Sequence, residues 1–186
     1  MIRTKGWSVF AGLSLVVLAT FAHAAEDHEG KLVLKVDGKD VTLKLAGGSY
    51  GTGEGDQPDY FGIGGEQVVL HGKFDLNGDG KTNGKDRLPL KGAGDEIVKP
   101  APALNKPHPI TPSDAKKDDT EEQPTFVELP GLGRMQVLKG STLTLTQFRV
   151  IDGIKDRWAG SVKLLLKGDK GQKTVTGTFD CGTGAE

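Results

Sequence analysis

One acidic segment of the chain has the residue types and spacing for chemistry. Between Asp75 and Asp86, oxygen-bearing side chains stand at positions 1, 3, 5, 9 and 12 of a twelve-residue loop, with Gly80 at position 6. Ca²⁺ is a hard cation that takes about six to eight oxygen ligands at roughly 2.3–2.6 Å, and alternate residues of a tight loop can supply them. A glycine at the sharpest bend reaches left-handed backbone angles at little cost. The segment predicts a site for one Ca²⁺, with the side chains of Asp75, Asn77, Asp79, Asn83 and Asp86 and the carbonyl of Lys81 as ligands.

The pattern Asp-x-Asn-x-Asp-Gly-x-x-Asn-x-x-Asp resembles the calcium loop of dockerin repeats, a relative of the EF-hand with aspartate at position 12. The resemblance covers residues 75–86 only and implies the same set, with each side chain either a ligand itself or the holder of a ligating water and Lys81 the carbonyl ligand. Dockerins carry two such loops, each followed by a helix, and bind cohesin domains through those helices. This chain has one loop, and Pro89 soon after it disfavours a long helix. We therefore expect a lone calcium loop inserted in a β protein.

A competing interpretation is that Asp, Asn and Gly simply form a solvated turn that holds no ion. Five oxygen-bearing side chains at ligand spacing, together with Gly80, favour the ion. Three carboxylates in a single loop predict weak binding, with a Kd on the order of 10⁻⁴ to 10⁻³ M.

The first 24 residues read as a secretory signal peptide. Arg3 and Lys5 precede an apolar run over residues 9–18, and Ala22-His23-Ala24 places small residues at the positions that a signal peptidase requires. A membrane anchor would need about 20 apolar residues, more than this run provides. We expect cleavage before Ala25 and a secreted or periplasmic protein with no membrane span after cleavage.

The charge and cysteine content of the chain exclude several classes. Arg3 and Lys5 are the only charged residues of 1–24, so 22 of the 24 basic residues remain beside 25 acidic ones, a net charge of −3 after cleavage. A weakly acidic, mixed surface gives no reason to expect binding to nucleic acid. Cys181 is the only cysteine, so no intramolecular disulfide can form. We expect it to be a free or partly buried thiol rather than a nucleophile.

Alternating apolar residues predict an all-β fold. Residues 31–45 read as a hairpin with a type I′ turn at Asp37-Gly38, which opposes residues whose numbers sum to 75. This register collects six apolar side chains on one face: Leu32, Leu34, Val36, Val41, Leu43 and Leu45.

The C-terminal third predicts an antiparallel meander over 142–151, 154–167 and 172–179, with a bulge near Gln147 where the apolar residues change parity. Further strands are expected over 67–74 and 134–138. The fold class is therefore an antiparallel β-sandwich or partly open barrel, with the calcium loop inserted at a strand end.

Within residues 99–125, five prolines between 100 and 112 are followed by a run of charged residues. Such a stretch buries too little apolar surface to offset its ordering entropy and predicts a disordered or extended loop. We expect residues 25–186 to form a single domain around it. The alternative is two β units, 25–98 and 126–186, joined by this stretch.

The glycine-rich segment, residues 47–65, matches neither phosphate-binding glycine motif and predicts a turn-rich loop. Its Glu54, Asp56 and Asp59 could lend an outside carboxylate to the ion if the segment folded over the calcium loop.

No catalytic motif is present, because the chain lacks both His-Glu-x-x-His and Gly-x-Ser-x-Gly, and we expect no enzymatic activity and no catalytic residues. Two functions remain. One is a secreted, calcium-binding β protein with a structural or interaction role. The other is a ligand-binding module, in which Trp158 and the glycine-rich segment would bind carbohydrate. Trp158 is expected in the core, and the partner, a protein or a polysaccharide, is left open.

Overall fold

The computed structural model describes residues 30–87, 90–91, 96–97, 104–113, 124–151 and 155–181. The predicted signal peptide lies outside these residues. The described part of the chain contains strands and turns but no helix, and so no helix that could cross a membrane. The strands are β1 (Gly30–Val36), β2 (Lys39–Leu45), β3 (Gly47–Gly51), β4 (Tyr60–Gly65), β5 (Val68–Lys73), β6 (Leu90–Lys91), β7 (Glu96–Ile97), β8 (Pro107–Pro109), β9 (Phe126–Leu129), β10 (Gly133–Val137), β11 (Thr142–Ile151), β12 (Lys155–Gly168) and β13 (Gly171–Asp180).

Eleven of these strands form one antiparallel sheet, in the order β2-β1-β13-β12-β10-β9-β5-β4-β3, with β11 paired to β12 and β8. The two ends of this path, β2 and β3, are separated in the chain only by Ala46, whose N–H donates to the carbonyl of Gly64 in β4 (2.8 Å). The sheet therefore curls back on itself and is nearly closed into a barrel. The all-β class is confirmed, in the form of a partly open barrel.

The first hairpin forms as its alternation predicts. Leu32 opposes Leu43 and Leu34 opposes Val41, which is the predicted register. Asp37 and Gly38 have φ of 50° and 79°, the left-handed angles that a type I′ turn requires at both central residues.

The C-terminal meander also follows the pattern of its sequence. Strands β11, β12 and β13 pair in turn, and the register of β11 against β12 shifts between Leu145 and Gln147, which is the predicted bulge. The bulge lets Phe148 turn inward after Leu143 and Leu145, so all three side chains are buried.

Strands from both sides of the proline-rich stretch are hydrogen-bonded in the same sheet. Strand β1 pairs with β13, where Leu32 opposes Phe179, and β5 pairs with β9, where Val68 opposes Val127. The buried side chains of these strands belong to one hydrophobic cluster.

The glycine-rich segment differs from its prediction. Only residues 52–59 form a loop, because Gly47–Gly51 and Tyr60–Gly65 are the paired strands β3 and β4. Strand β4 also pairs with β5, whose alternating Val68 and Leu70 provide an apolar template for Phe61 and Ile63. The prediction of a turn-rich loop over all of 47–65 was wrong, since long-range pairing outweighs the low strand propensity of glycine.

Part of the proline-rich stretch belongs to the sheet. Pro107–Pro109 forms β8, in which His108 opposes Leu143 of β11. His108 and Ile110 are buried, at 0% and 3% exposure. The backbone is extended, as expected, but the sequence analysis did not predict that it would add buried side chains to the core.

Candidate metal centre

The calcium loop begins where β5 leaves the sheet. Phe74 and Leu76 on either side of Asp75 are buried. The Phe74 ring packs against Phe61 (5.3 Å between ring centroids) and His108 (5.4 Å). The entry to the loop is therefore fixed to the hydrophobic core, and the side chain of its first predicted ligand is held at the edge of that core.

Asp75 closes the first turn of the loop. Its Oδ1 accepts the N–H of Gly78 (2.8 Å) and its Oδ2 accepts the N–H of Gly80 (2.9 Å). Both glycines have left-handed backbone angles, with φ of 73° and 78°. The glycine at position 6 therefore has the conformation for which the sequence predicted it.

Three further predicted ligands form the same local turn. The side-chain oxygens of Asn77, Asp79 and Asn83 each accept the N–H of the second residue after them, at 2.8, 2.8 and 3.0 Å. Such turns orient a side-chain oxygen by tying it to its own backbone. For Asp79 the donor is Lys81, the residue whose carbonyl is predicted at position 7.

Asp86 joins the end of the loop to its beginning. Its Oδ1 accepts the N–H groups of Leu76 (2.9 Å) and Asn77 (3.3 Å), and its Oδ2 accepts that of Asn83 (3.0 Å). The residue is completely buried. The last predicted ligand thus also holds the loop together through its backbone amides, a role that spacing alone does not reveal.

The two ends of the loop carry buried carboxylates. Asp75 is 4% exposed and Asp86 0%. Among the described residues, no lysine or arginine forms an ion pair with either of them. Lys106 contacts the loop, but its Nζ donates to the carbonyl of Leu76 (2.8 Å) rather than to a carboxylate.

The donor chemistry of the loop fits Ca²⁺, since every predicted ligand atom is oxygen. A carboxylate or amide oxygen has two lone pairs, so an oxygen that accepts one N–H keeps capacity for a cation. In Asp86 this oxygen is Oδ2, because Oδ1 already accepts two N–H groups. Within the described ranges, no three His, Cys, Asp or Glu side chains converge as a metal-binding group. The structure therefore does not gather the carboxylates of Asp75, Asp79 and Asp86 into such a group, and the predicted set also needs the amide oxygens of Asn77 and Asn83 and the carbonyl of Lys81.

A second loop packs against the calcium loop. Residues 52–59, here called the cover loop, connect β3 to β4. The N–H of Asp59 donates to the carbonyl of Asp86 (3.0 Å), and the carbonyl of Asp59 accepts the N–H of Phe74 (2.9 Å). The Asp59 side chain is 1% exposed, and its Oδ1 accepts the N–H of Gly53 within the cover loop (3.0 Å). The sequence raised the idea that this segment folds over the calcium loop and lends it a carboxylate. The cover loop does pack on the calcium loop, and the Asp59 carboxylate accepts an amide of the cover loop itself.

His108 supports the site from the other side and was not singled out by the sequence analysis. Its Nδ1 accepts the N–H of Asp75 (3.1 Å). A histidine between two prolines gave little sign of this contact, because its partner lies 33 residues away in the chain.

The other candidate residues are buried in the core. Trp158 is 0% exposed, and its ring lies 4.6 Å from that of Phe148 and 6.1 Å from that of Tyr50, measured between centroids. It is a core residue, as expected, and cannot present its ring to a sugar. Cys181 is a free thiol, 3% exposed. Desolvation by burial, with a smaller contribution from Asp180, raises the pKa of the Cys181 thiol to about 12, which disfavours a nucleophilic role.

Comparison of the chain with protein-family models, with curated proteins and with solved structures found no match.

Proposed function

We propose that the chain is an exported, non-enzymatic β protein that binds one calcium ion in the loop from Asp75 to Asp86. The ion is proposed to stabilise the fold, in a structural or interaction role. The ligands are those of the sequence prediction: Asp75, Asn77, Asp79, Asn83 and Asp86 through their side chains and Lys81 through its carbonyl.

The observation that carries this proposal is the burial of Asp75 and Asp86 without an ion pair from any described lysine or arginine. Burying a charged carboxylate is costly unless it is paired with a cation or bound to a metal. Backbone amides offset part of this cost, and a divalent cation shared by both carboxylates would offset more. A merely solvated turn, the competing interpretation, would leave both side chains in water.

The position of the loop supports a stabilising role for the ion. The loop follows β5 directly, and its first residues lie between the core side chains of Phe74 and Leu76. An ion that held residues 75 and 86 together would therefore hold the end of β5 and the cover loop as well. Calcium at ten times its Kd would add about 1.4 kcal/mol to the free energy of unfolding, if the unfolded chain does not bind it.

Export is proposed from the sequence of residues 1–24. A basic start, an apolar run and Ala22-His23-Ala24 are typical of a cleaved signal peptide. An exported protein would meet calcium at the concentrations that suit a site of Kd about 10⁻⁴ to 10⁻³ M. The two parts of the proposal therefore agree with each other.

The test is thermal unfolding in EDTA and in 10 mM CaCl₂, with the wild type and two alanine variants. Asp79 is exposed and its side chain accepts only the N–H of Lys81, so Asp79→Ala removes a predicted ligand with little other loss. Asp169→Ala, an exposed aspartate in the β12–β13 turn, is the matched control.

We expect calcium to raise the Tm of the wild type and of Asp169→Ala, and to raise it much less for Asp79→Ala. All three proteins should melt alike in EDTA. A wild-type Tm that does not change between EDTA and calcium, together with no calcium-induced shift of the loop amides in NMR, would refute the proposed site.

A further inference from the structure

We propose that the cover loop supports the calcium site by holding the calcium loop in its binding conformation, with Asp59 as the positioning residue that joins the two loops. Calcium in the loop 75–86 holds the cover loop closed, and the closed cover loop in turn raises the affinity for calcium. This inference rests on the proposed function.

The cover loop is bonded to the segment that carries the last predicted ligands. Asp59 donates its N–H to the carbonyl of Asp86, whose carboxylate is the position 12 ligand. Arg87, the next residue, donates from its guanidinium to the carbonyl of Gly55. The backbone of Asp59 also accepts the N–H of Phe74, immediately before the position 1 ligand. Asp59 thus bridges the two ends of the calcium loop.

Close backbone packing adds to these bonds. A Cβ placed on Gly84 would lie 2.9 Å from both the Cα of Asp56 and the carbonyl oxygen of Gly55. Because these are backbone atoms, they cannot yield as the end of a flexible side chain would. Gly84 lies between the ligands Asn83 and Asp86, so the cover loop packs directly on the segment that must be correctly placed to bind the ion.

The glycines of the cover loop are explained by its shape. A Cβ on Gly53 would lie 2.4 Å from the carbonyl oxygens of Gln57 and Pro58, and Gly55 has a φ of 57°. The turn is closed by the N–H of Gln57, which donates to the carbonyl of Glu54 (2.9 Å). The loop is therefore compact in itself and closes on the calcium loop as a unit.

Calcium binding and closure of the cover loop must affect each other by the same free energy, because thermodynamic coupling is reciprocal. Calcium binding holds residues 83–86 in place. These residues provide the Asp86 carbonyl that accepts the Asp59 N–H, and the backbone at Gly84 on which the cover loop packs. If the closed cover loop strengthens calcium binding by some factor, calcium must favour the closed cover loop by the same factor. Couplings of this kind are typically about fivefold or more.

The experiment compares Gly84→Ala with Gly64→Ala, both in the full protein. The first substitution forces the backbones of the cover loop and of residues 83–86 apart and removes no predicted ligand residue. The second adds the same methyl group in β4, where no atom lies within 4 Å. Calcium affinity is measured by NMR titration with CaCl₂. Hydrogen exchange of the amides of Gln57 and Asp59 is measured in EDTA and in saturating CaCl₂.

We expect calcium to slow wild-type exchange at both amides by about fivefold or more, and Gly84→Ala to raise the Kd for calcium by a similar factor. Gly64→Ala should behave as the wild type. Wild-type exchange that calcium leaves unchanged, or a Gly84→Ala Kd equal to that of the wild type, would overturn the inference while the calcium site stands. The exchange measurement on the wild type needs no variant and decides the matter even if Gly84→Ala does not fold. A wild type that binds no calcium would refute the proposed function and this inference with it.

Discussion

Replacing Asp86 with alanine removes the acceptor of three backbone amides at once, and the cost can be worked out from their surroundings. The N–H of Leu76, 2.9 Å from Oδ1, belongs to a residue that is only 8% exposed, so it would be left buried without a partner, at about 1–3 kcal/mol. The amides of Asn77 and Asn83 lie nearer to water, and each loses about 0.5–1 kcal/mol. We therefore expect Asp86→Ala to lower the free energy of unfolding in calcium-free buffer by about 3 kcal/mol from the lost hydrogen bonds, less the cost of the buried charge that the substitution removes.

Asp86→Asn removes the charge of this residue but keeps part of its hydrogen bonding, so it distinguishes the two contributions. The amide oxygen can still accept from Leu76 and Asn77, whereas the NH₂ group replaces Oδ2, the acceptor for Asn83. The expected loss in EDTA is about 1 kcal/mol. Both variants should lose the stabilisation by calcium, since the predicted ligand loses its charge or is removed.

Urea unfolding in EDTA, followed by circular dichroism, measures these differences. With a slope of about 2 kcal/mol per M, the lost hydrogen bonds lower the midpoint by at most about 1.5 M for Asp86→Ala and about 0.5 M for Asp86→Asn, since both variants also remove a buried charge. Asp79→Ala serves as the control for a loop aspartate that holds a single exposed amide. An Asp86→Ala midpoint equal to that of the wild type in EDTA would show that the hydrogen bonds to Asp86 do not outweigh the cost of its buried charge, and the reasoning would be wrong.

Three other regions give predictions that can be checked directly. Because the raised pKa keeps the Cys181 thiol protonated, a thiol reagent at pH 8 should label it only in denaturant. Its folded pKa lies above the unfolded value of 9.0, so the stability that it contributes is complete below pH 9 and declines as the pH rises toward 12. The wild type should thus lose about 1 kcal/mol relative to Cys181→Ala between pH 8 and pH 10, measured by urea unfolding, and parallel curves would contradict this. Trp158 emission from protein without residues 1–24 should be blue-shifted and resistant to iodide, whereas emission typical of water would contradict the core position. Gly38→Ala should cost about 1 kcal/mol because φ is 79°, and Gly47→Ala, which has open space and an ordinary φ, should cost less; equal losses would argue against the type I′ turn.

The parts of the fold that were predicted correctly are those with local determinants. The hairpin of β1 and β2 depends on alternation over residues 31–45 and on the turn at Asp37-Gly38, both visible in one short segment. The bulge near Gln147 was visible within β11, where the apolar residues change from odd to even positions. Each of these features has its cause within about fifteen residues, so sequence patterning is sufficient to find it.

The parts that were missed depend on distant partners. Strands β3 and β4 are rich in glycine, and only β5 makes them strands. Strand β8 has two prolines, and it is held by β11 and by the fit of His108 into the core. At the candidate site, spacing identified the oxygen-bearing residues, but it could not reveal that Asp86 binds three amides or that Asp59 bridges the loop. The role of Asp86 arises when the two ends of the calcium loop meet in space, and that of Asp59 when the cover loop packs on the calcium loop.

The pairing of β1 with β13 affects how the protein reaches its native state. Lys31 lies opposite Asp180, so the first strand of the sheet acquires its second neighbour only when the last strand is available. Contacts between residues this far apart in sequence slow folding, because the loss of chain entropy precedes any gain from pairing. Until β13 is available, the hairpin of β1 and β2 would therefore have one unpaired edge. A chaperone that shields such an edge would have its greatest effect on this protein in that interval.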